Sequence, residues 1–276
     1  IIIQRRLMKI QELKDKLTES TPIYTNEEIN WMLNHIGDPD SLIRDSLVCN
    51  SLGKGFLEDN FSLDQAHFMI EKIKTNNTLF YKIDETGIPT LTRSFTCLFW
   101  DLIIKVNNDS ESEYFKILTD SEEKELFKNL LVYLSKESDF TGFSKKYGWF
   151  HAVAHCSDAI ADGMKSDNFD PEMAHLFLSS TYKMLNRVDR RFVDGEEYRL
   201  SDVFIEAFKN KKISNEDFIS WIKSFDFNHY APDLIEFYRF NNVKSLLENI
   251  YVKLNSLSLL NVSIKDYIEE HFSKKE

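Results

Sequence analysis

Hydrophobic positions recur along most of the chain with the three- to four-residue spacing of an amphipathic α-helix. The predicted helices cover residues 8–18, 26–36, 40–53, 63–75, 90–107, 121–137, 149–162, 171–187, 196–210, 215–225, 232–255 and 263–272. Short polar loops separate them, and no segment alternates strictly enough between turn signals to predict a β-strand. The pattern therefore predicts an all-α protein.

Several of these helices begin with recognisable capping residues. The three-residue spacing of a capping box occurs at Thr25 with Glu28, Ser62 with Gln65, and Ser214 with Asp217. An acidic N-cap before a proline in the first helical position is predicted at Asp38–Pro39 and Asp170–Pro171. These signals place five helix starts independently of the hydrophobic pattern.

The spacing of the helices predicts how they are arranged. Antiparallel pairs would repeat every 40–45 residues or so, roughly the period of armadillo and HEAT repeats. We therefore expect one domain over residues 1–276, with antiparallel helix pairs stacked as an α-α superhelix. The alternative is a compact irregular bundle, because the pairs show little similarity to one another. Met8 opens an amphipathic run, so residues 1–7 are interpreted as an upstream extension or a cloning remnant.

Composition narrows the class of partner. A hydrophobic content of 42% with 22 Phe excludes general disorder, and the formal net charge is −11. Such a chain repels phosphate backbones and anionic membrane surfaces. We expect a protein, a peptide or a small polar ligand as partner, and neither nucleic acid nor a membrane.

The three cysteines, Cys49, Cys97 and Cys156, are far apart in sequence and form no Cys-x-x-Cys pair. This argues against a zinc ribbon and against a disulfide framework, and predicts a cytoplasmic protein. Each cysteine lies in an apolar context, so we interpret it as a small buried hydrophobic residue.

The segment from Gly148 to Gly163 is the strongest candidate for a site. If it is a helix at about 100° per residue, four polar side chains share a stripe roughly 60° wide. They are His151, His155, Asp158 and Asp162. Imidazole and carboxylate groups on an otherwise packed helix are costly unless they are paired, hydrated or bound to a ligand. We therefore predict a polar binding site here, with the adjacent Trp149 contributing to it.

The His-x-x-x-His spacing also suits a divalent metal, which is the candidate cofactor. His151, His155 and Asp158 are the candidate ligands. Ala152 stands where a zinc protease has its catalytic Glu, so a general base would have to come from Glu197 or Asp139. The alternative is that these polar groups only hold neighbouring helices together.

Charged residues elsewhere point to the same region. Arg93 lies among Phe95 and other large apolar residues, which predicts that it is buried and needs a carboxylate. Glu197 and Asp139 are the candidate partners, and Arg199 follows Glu197 on a later helix. The remaining histidines, His35, His67, His175, His229 and His271, are interpreted as exposed or singly hydrogen-bonded. The aromatic run Phe225, Phe227, Tyr230, Phe237, Tyr238 and Phe240 is interpreted as core.

From about Asp38 to Phe208 the chain resembles the bacterial family catalogued as domain of unknown function 2785. The specific element is Gly148-Trp149-Phe150-His151 followed by His155 and Asp158. Supporting strings, in order, are Arg44-Asp45, Arg93-Ser94-Phe95, Glu137-Ser138-Asp139 and Gly195 to Leu200. The resemblance implies an all-helical superhelical fold and implies no particular activity.

Two functions follow as hypotheses. The first is a cytoplasmic helical-repeat binding protein with a polar pocket on its concave face. The second is a metal-dependent hydrolase using the His-x-x-x-His-x-x-Asp segment; whether the protein is an enzyme stays open. In either case we expect these residues to converge: Arg93, Asp139, His151, His155, Asp158, Glu197 and Arg199.

Overall fold

The computed structural model describes residues 2–226 and 233–272, with side chains from residue 8 onward. Its elements are α1 (Ile2–Thr18), α2 (Asn26–Asn34), α3 (Ser41–Ile43), a π-helix (Arg44–Cys49), α4 (Asn50–Leu57), α5 (Leu63–Thr75), a 3₁₀-helix (Thr78–Phe80), α6 (Ile88–Asn108), α7 (Asp120–Lys136), β1 (Phe143–Ser144), β2 (Gly148–Trp149), α8 (Ala152–Gly163), α9 (Pro171–Leu185), α10 (Glu196–Lys209), α11 (Asn215–Lys223), α12 (Leu234–Ser256) and α13 (Val262–Phe272). The prediction of an all-α protein is confirmed. Helix α1 begins at Ile2, six residues before the predicted start, and the origin of residues 1–7 stays a prediction.

The predicted capping residues are confirmed with one exception. All three capping boxes form, and Asp170 caps α9 through the backbone N–H of Met173. The exception is Asp38, because the N-cap of α3 is Asp40, whose carboxylate accepts from Leu42 N. Asp38 instead accepts a hydrogen bond from the backbone N–H of Asp40 at 2.9 Å.

The chain between α7 and α8 forms a small hairpin that the hydrophobic pattern did not predict. Phe143 pairs with Trp149 and Ser144 with Gly148 in antiparallel register. Two-residue strands are too short for an alternating pattern, so only the structure reveals them. The hairpin delays the start of α8 to Ala152. His151 is therefore the residue before the helix, and its placement on a helical stripe was wrong.

Helices two positions apart along the chain are packed together. Helix α8 contacts α6 and α10, and α10 contacts α12; on the other side α7 contacts α9, α9 contacts α11, and α11 contacts α13. This is the contact pattern of stacked helix pairs. One cluster of buried apolar side chains runs from Leu13 to Ile268. The superhelical curvature, the repeat class and the single domain stay predictions.

No helix in the described part of the chain is both long and apolar enough to cross a membrane.

The aromatic run is only partly in the core. Phe240 is buried but Phe237 is 48% exposed, so the core interpretation was wrong for Phe237. The remaining predictions for Phe227, His229 and Tyr230 lie outside the described residues.

Candidate functional site

Arg93 is fully buried on α6, and its carboxylate partner is Glu137 at the end of α7. The guanidinium binds both carboxylate oxygens, at 2.8 Å from Nε and 2.9 Å from Nη2. It also donates to three backbone carbonyls, those of Tyr81, Lys82 and Glu85. The predicted pairing with Glu197 or Asp139 was wrong. Arg93 fixes the chain before α6 against α7 and has no free donor for a ligand.

Asp139 serves the start of α6. One of its carboxylate oxygens accepts from Gly87 N at 2.7 Å and Thr90 Oγ1 at 2.8 Å, and the other accepts from Thr141 N. Burial opposes ionisation, but hydrogen bonds from Gly87, Thr141 and Thr90 hold the pKa of Asp139 below its ordinary value. A buried carboxylate with both oxygens engaged in this way holds the start of the helix in place and is a poor candidate for a general base.

Arg44 holds the hairpin in place from the π-helix. Its side chain is fully buried, and Nη2 donates to the carbonyls of Tyr147 at 2.8 Å and Trp149 at 3.3 Å. Its guanidinium also lies 4.6 Å from the ring centroid of Phe95. The predicted helix 40–53 is thus interrupted by a π-helix at the turn that carries Arg44. Arg44 positions the strand that bears Trp149.

His155 is held in one neutral tautomer. Its Nδ1 lies 2.8 Å from Ser94 Oγ, and the Ser94 hydroxyl donates its single proton to the carbonyl of Phe150. Ser94 must therefore accept from Nδ1–H, which leaves Nε2 with a lone pair. Burial, with help from the positive charges of Arg199 and Arg44, lowers the pKa of His155 to about 3. No described residue hydrogen-bonds to Nε2, although the side chain is only 8% exposed.

His151 is in the complementary neutral tautomer. It has a left-handed backbone with φ of 44°, and its Nε2 lies 3.1 Å from the carbonyl oxygen of Asp194. A carbonyl only accepts, so Nε2 carries the proton and Nδ1 has the lone pair. Burial lowers the pKa of His151, against the opposing influence of Asp194. The two imidazole rings are 5.7 Å apart and perpendicular.

Trp149 and the pair formed by Asp158 and Arg199 border these two imidazoles. Trp149 stacks on His151 with ring centroids 4.2 Å apart, and it is 41% exposed. Arg199 binds both carboxylate oxygens of Asp158, with Nε at 2.6 Å from one of them. Arg199 influences the pKa of both histidines, so the ion pair lies near the rings. We refer to Trp149, His151, His155, Asp158 and Arg199 as the histidine cluster.

The expected set of seven residues is divided between separate networks. Four of its members join Trp149 in the histidine cluster, whereas Arg93 and Asp139 belong to the buried network at the start of α6. Glu197 faces Arg191 at 3.4 Å instead. In the described ranges, no three His, Cys, Asp or Glu side chains are grouped so that they could hold a metal ion. The expected ligand trio is not formed, because Asp158 is engaged by Arg199.

Sequence reasoning assigned no role in the cluster to three residues that shape it: Ser94, Asp194 and Gly142. Ser94 sets the tautomer of His155 from a helix 61 positions away. Asp194 orients His151 through a backbone carbonyl, which no side-chain pattern reveals. The role of Gly142 depends on how closely the loop that carries Asp194 approaches it, which the sequence does not show.

Gly142→Ala is expected to destabilise the protein by about 1–3 kcal/mol through overpacking. A Cβ there would lie 2.2 Å from Asp194 Oδ2 and 2.4 Å from Glu196 Oε1. Urea unfolding measures the change. Gly53→Ala is the control: it lies in α4 with nothing within 4 Å of an added Cβ, so it should stabilise by about 0.5–1 kcal/mol. A Gly142→Ala variant as stable as the parent protein would mean that the Asp194 loop is not held against the hairpin.

Comparison with known proteins gives a match to the model of one protein family. Residues 79–252 match the family model described as "Protein of unknown function (DUF2785)". The match starts well after Asp38, where the resemblance was expected to begin, and extends past Phe208. It leaves out Arg44 and includes the whole histidine cluster. No curated protein and no solved structure matches the chain.

Proposed function

The chain belongs to the DUF2785 family, and we propose that it is a binding protein that takes a small, neutral, polar ligand at the histidine cluster. The observation that carries the proposal is the unpartnered Nε2 of His155 on a ring that is more than nine-tenths buried. The nitrogen atom itself lies at the edge of the ring that solvent reaches. A ligand with an O–H or N–H group can therefore donate to it in place of water.

The tautomer of each histidine supports binding over acid–base chemistry. A general base works best when its pKa is near the working pH. Burial lowers the pKa of His155 to about 3, so this imidazole stays neutral over the physiological range and its Nε2 acts only as a hydrogen-bond acceptor. The neighbouring Nδ1 of His151 is a second acceptor of the same kind. Two fixed acceptors side by side are suited to recognition.

The arrangement of the helices indicates what kind of surface surrounds the histidine cluster. Stacked helix pairs create extended surfaces on which residues from several helices meet. The histidine cluster draws its residues from the hairpin, α8 and α10. We propose that it opens on such a surface, in a cytoplasmic protein. The purely structural interpretation is retained for Arg93, Glu137 and Asp139. Their hydrogen bonds are made within the Arg93–Glu137 pair, to backbone groups and to the side chains of Thr90 and Tyr133.

The test uses two substitutions of His155 that separate its nitrogens. His155→Gln places an oxygen near the position of Nε2, whereas His155→Asn places an amide N–H near Nδ1 and has nothing at Nε2. The probes are glycerol, D-glucose, acetamide and urea at tens of millimolar. Their binding is followed by the ¹⁵N signals of the histidine side chains. We expect at least one probe to shift His151 and His155 together, and His155→Asn to weaken its binding about tenfold, more than His155→Gln does.

The exposed histidines His67 and His175 serve as internal controls, and their signals should not move. If no probe perturbs His151 and His155, or if His155→Asn binds every probe as the parent protein does, the binding function is refuted. The cluster would then be a structural network like that around Arg93.

A further inference from the structure

We infer that the ligand is a polyhydroxylated molecule, a monosaccharide or one sugar unit of a larger glycan. This rests on the proposed function, since it names the chemical class that would occupy the histidine cluster. Four features of the cluster point to this class: its charge, its donors and acceptors, the orientation of the two rings and the exposed aromatic surface beside them.

The charge of the cluster favours an uncharged ligand. Burial lowers the pKa of both imidazoles, which favours their neutral forms, and the charge of Asp158 is balanced by Arg199 through two hydrogen bonds. The guanidinium groups of Arg199 and Arg44 disfavour a positive charge at His155. A phosphate or carboxylate would face two nitrogen lone pairs, which repel it. A neutral molecule meets neither penalty.

The polar atoms favour a ligand that both donates and accepts hydrogen bonds. His155 Nε2 and His151 Nδ1 are acceptors, and no described residue donates to either of them. Arg199 uses Nε and Nη2 for Asp158, and no described residue accepts from its Nη1. Each hydroxyl group of a sugar donates one hydrogen bond and accepts others at the same oxygen. Neighbouring hydroxyls therefore match this mixture, and a site built for them rejects analogues that lack them.

The orientation of the rings favours hydroxyls over a planar amide or nucleobase. An imidazole lone pair lies in the plane of its ring, and the two rings are at 90° to each other. Amide and nucleobase N–H groups lie in one common plane. The O–H bonds of a sugar rotate independently and can be aimed at acceptors in two different planes. The perpendicular rings therefore favour a sugar over a planar amide or nucleobase.

Exposed aromatic surface lies directly beside the polar atoms. Trp149 is 41% exposed and Phe143 is 49% exposed, with their ring centroids 4.8 Å apart. The hairpin register places these two side chains opposite each other. A sugar ring has an apolar C–H face as well as its hydroxyls, and aromatic rings provide large apolar contact area for such a face. The cluster thus combines the two surfaces that a sugar presents.

The experiment compares binding of D-glucose, D-galactose, D-mannose and N-acetyl-D-glucosamine with binding of acetamide and urea. Isothermal titration gives Kd, and histidine ¹⁵N signals locate the site. At least one sugar should bind more tightly than either amide probe. Trp149→Ala should weaken that sugar about tenfold. The matched control is Trp31→Ala, because Trp31 also stacks on a histidine, His35, with ring centroids 3.9 Å apart. That variant should bind as the parent protein does.

The outcomes separate the ligand class from the function. If acetamide or urea shifts His151 and His155 while no sugar does, the sugar assignment is overturned and the binding function stands. If a sugar binds but Trp149→Ala leaves its Kd unchanged, the site is not the one described, and the assignment also fails. If neither class perturbs the two histidines, both the assignment and the proposed function are refuted.

Discussion

Arg93→Met is expected to lower the free energy of unfolding by about 3–5 kcal/mol, the largest effect of any single substitution considered. The change removes the only cation that contacts the buried carboxylate of Glu137 among the described residues. It also leaves three carbonyl groups before α6 without the donor they share. Unfolding in urea, monitored by circular dichroism, measures the difference. Arg190→Met is the control, because that side chain is half exposed and pairs with an exposed Asp189, so its effect should stay within about 0.5 kcal/mol.

A second substitution shows whether the ion pair itself carries the effect. Glu137→Gln should destabilise less, by about 1–3 kcal/mol, because the amide oxygen can still accept from the backbone N–H groups of Ser138 and Asp139. The double variant Arg93→Met with Glu137→Gln should be more stable than the sum of the single changes by over about 1 kcal/mol. An Arg93→Met cost below about 1 kcal/mol, or strict additivity, would contradict the network described here.

Local features of the fold were predictable because their causes are local. The capping boxes at Thr25, Ser62 and Ser214 depend on residues three positions apart, and all three form. Helix boundaries follow the hydrophobic period for the same reason. Asp40 replaced Asp38 as an N-cap because both acids flank Pro39, and the sequence cannot say which of them the backbone will use.

Features of the candidate site were predictable only in part. The neighbourhood of His155 and Asp158 follows from their spacing on α8, and burial of Arg93 follows from its apolar neighbours. The sequence does not reveal the partner of Arg93, because Glu137 is 44 residues away and its position depends on how α6 and α7 pack. The conformation of His151 depends on a hairpin whose strands have two residues each. Contacts set by packing leave no periodic signal in the sequence.

A pair of carboxyl groups that the sequence did not predict links α6 to α8. Asp101 lies on α6 and Asp162 on α8. Asp101 is 5% exposed, and its Oδ2 accepts from Lys105 Nζ at 2.6 Å. Lys105 also lies 3.3 Å from Asp162, which in turn binds Lys165. Burial and the nearby Asp162 raise the pKa of Asp101 to about 7, against the opposing influence of Lys105. At neutral pH Asp101 is therefore partly protonated and can donate a hydrogen bond to Asp162.

This pair predicts a loss of stability as the pH rises. A carboxyl whose pKa is higher in the folded state contributes stability that is fully present below its ordinary value of 3.8 and is lost as the pH rises through 7. At 1.36 kcal/mol per pKa unit, the contribution of Asp101 to the free energy of unfolding should fall by about 2–4 kcal/mol between pH 4 and pH 8. The pKa of Asp162 is lowered from its ordinary value, so the contribution of that group changes only at more acidic pH, outside this window.

Asp101→Asn should remove most of this pH dependence. The amide cannot ionise, and its N–H group can donate to Asp162 at every pH. The variant should therefore be more stable than the parent protein at pH 8, and should lose that advantage at pH 4.5. Urea unfolding across this range measures both slopes, with the exposed Asp167→Asn as a control that keeps the parent slope. A parent protein equally stable at pH 5 and pH 8, or a variant with an unchanged slope, would show that Asp101 does not hold its proton in the folded state. Helix α8 carries both Asp162 and His155. The same series would therefore reveal whether a change in the contact between Asp101 and Asp162 disturbs the histidine cluster at the other end of α8.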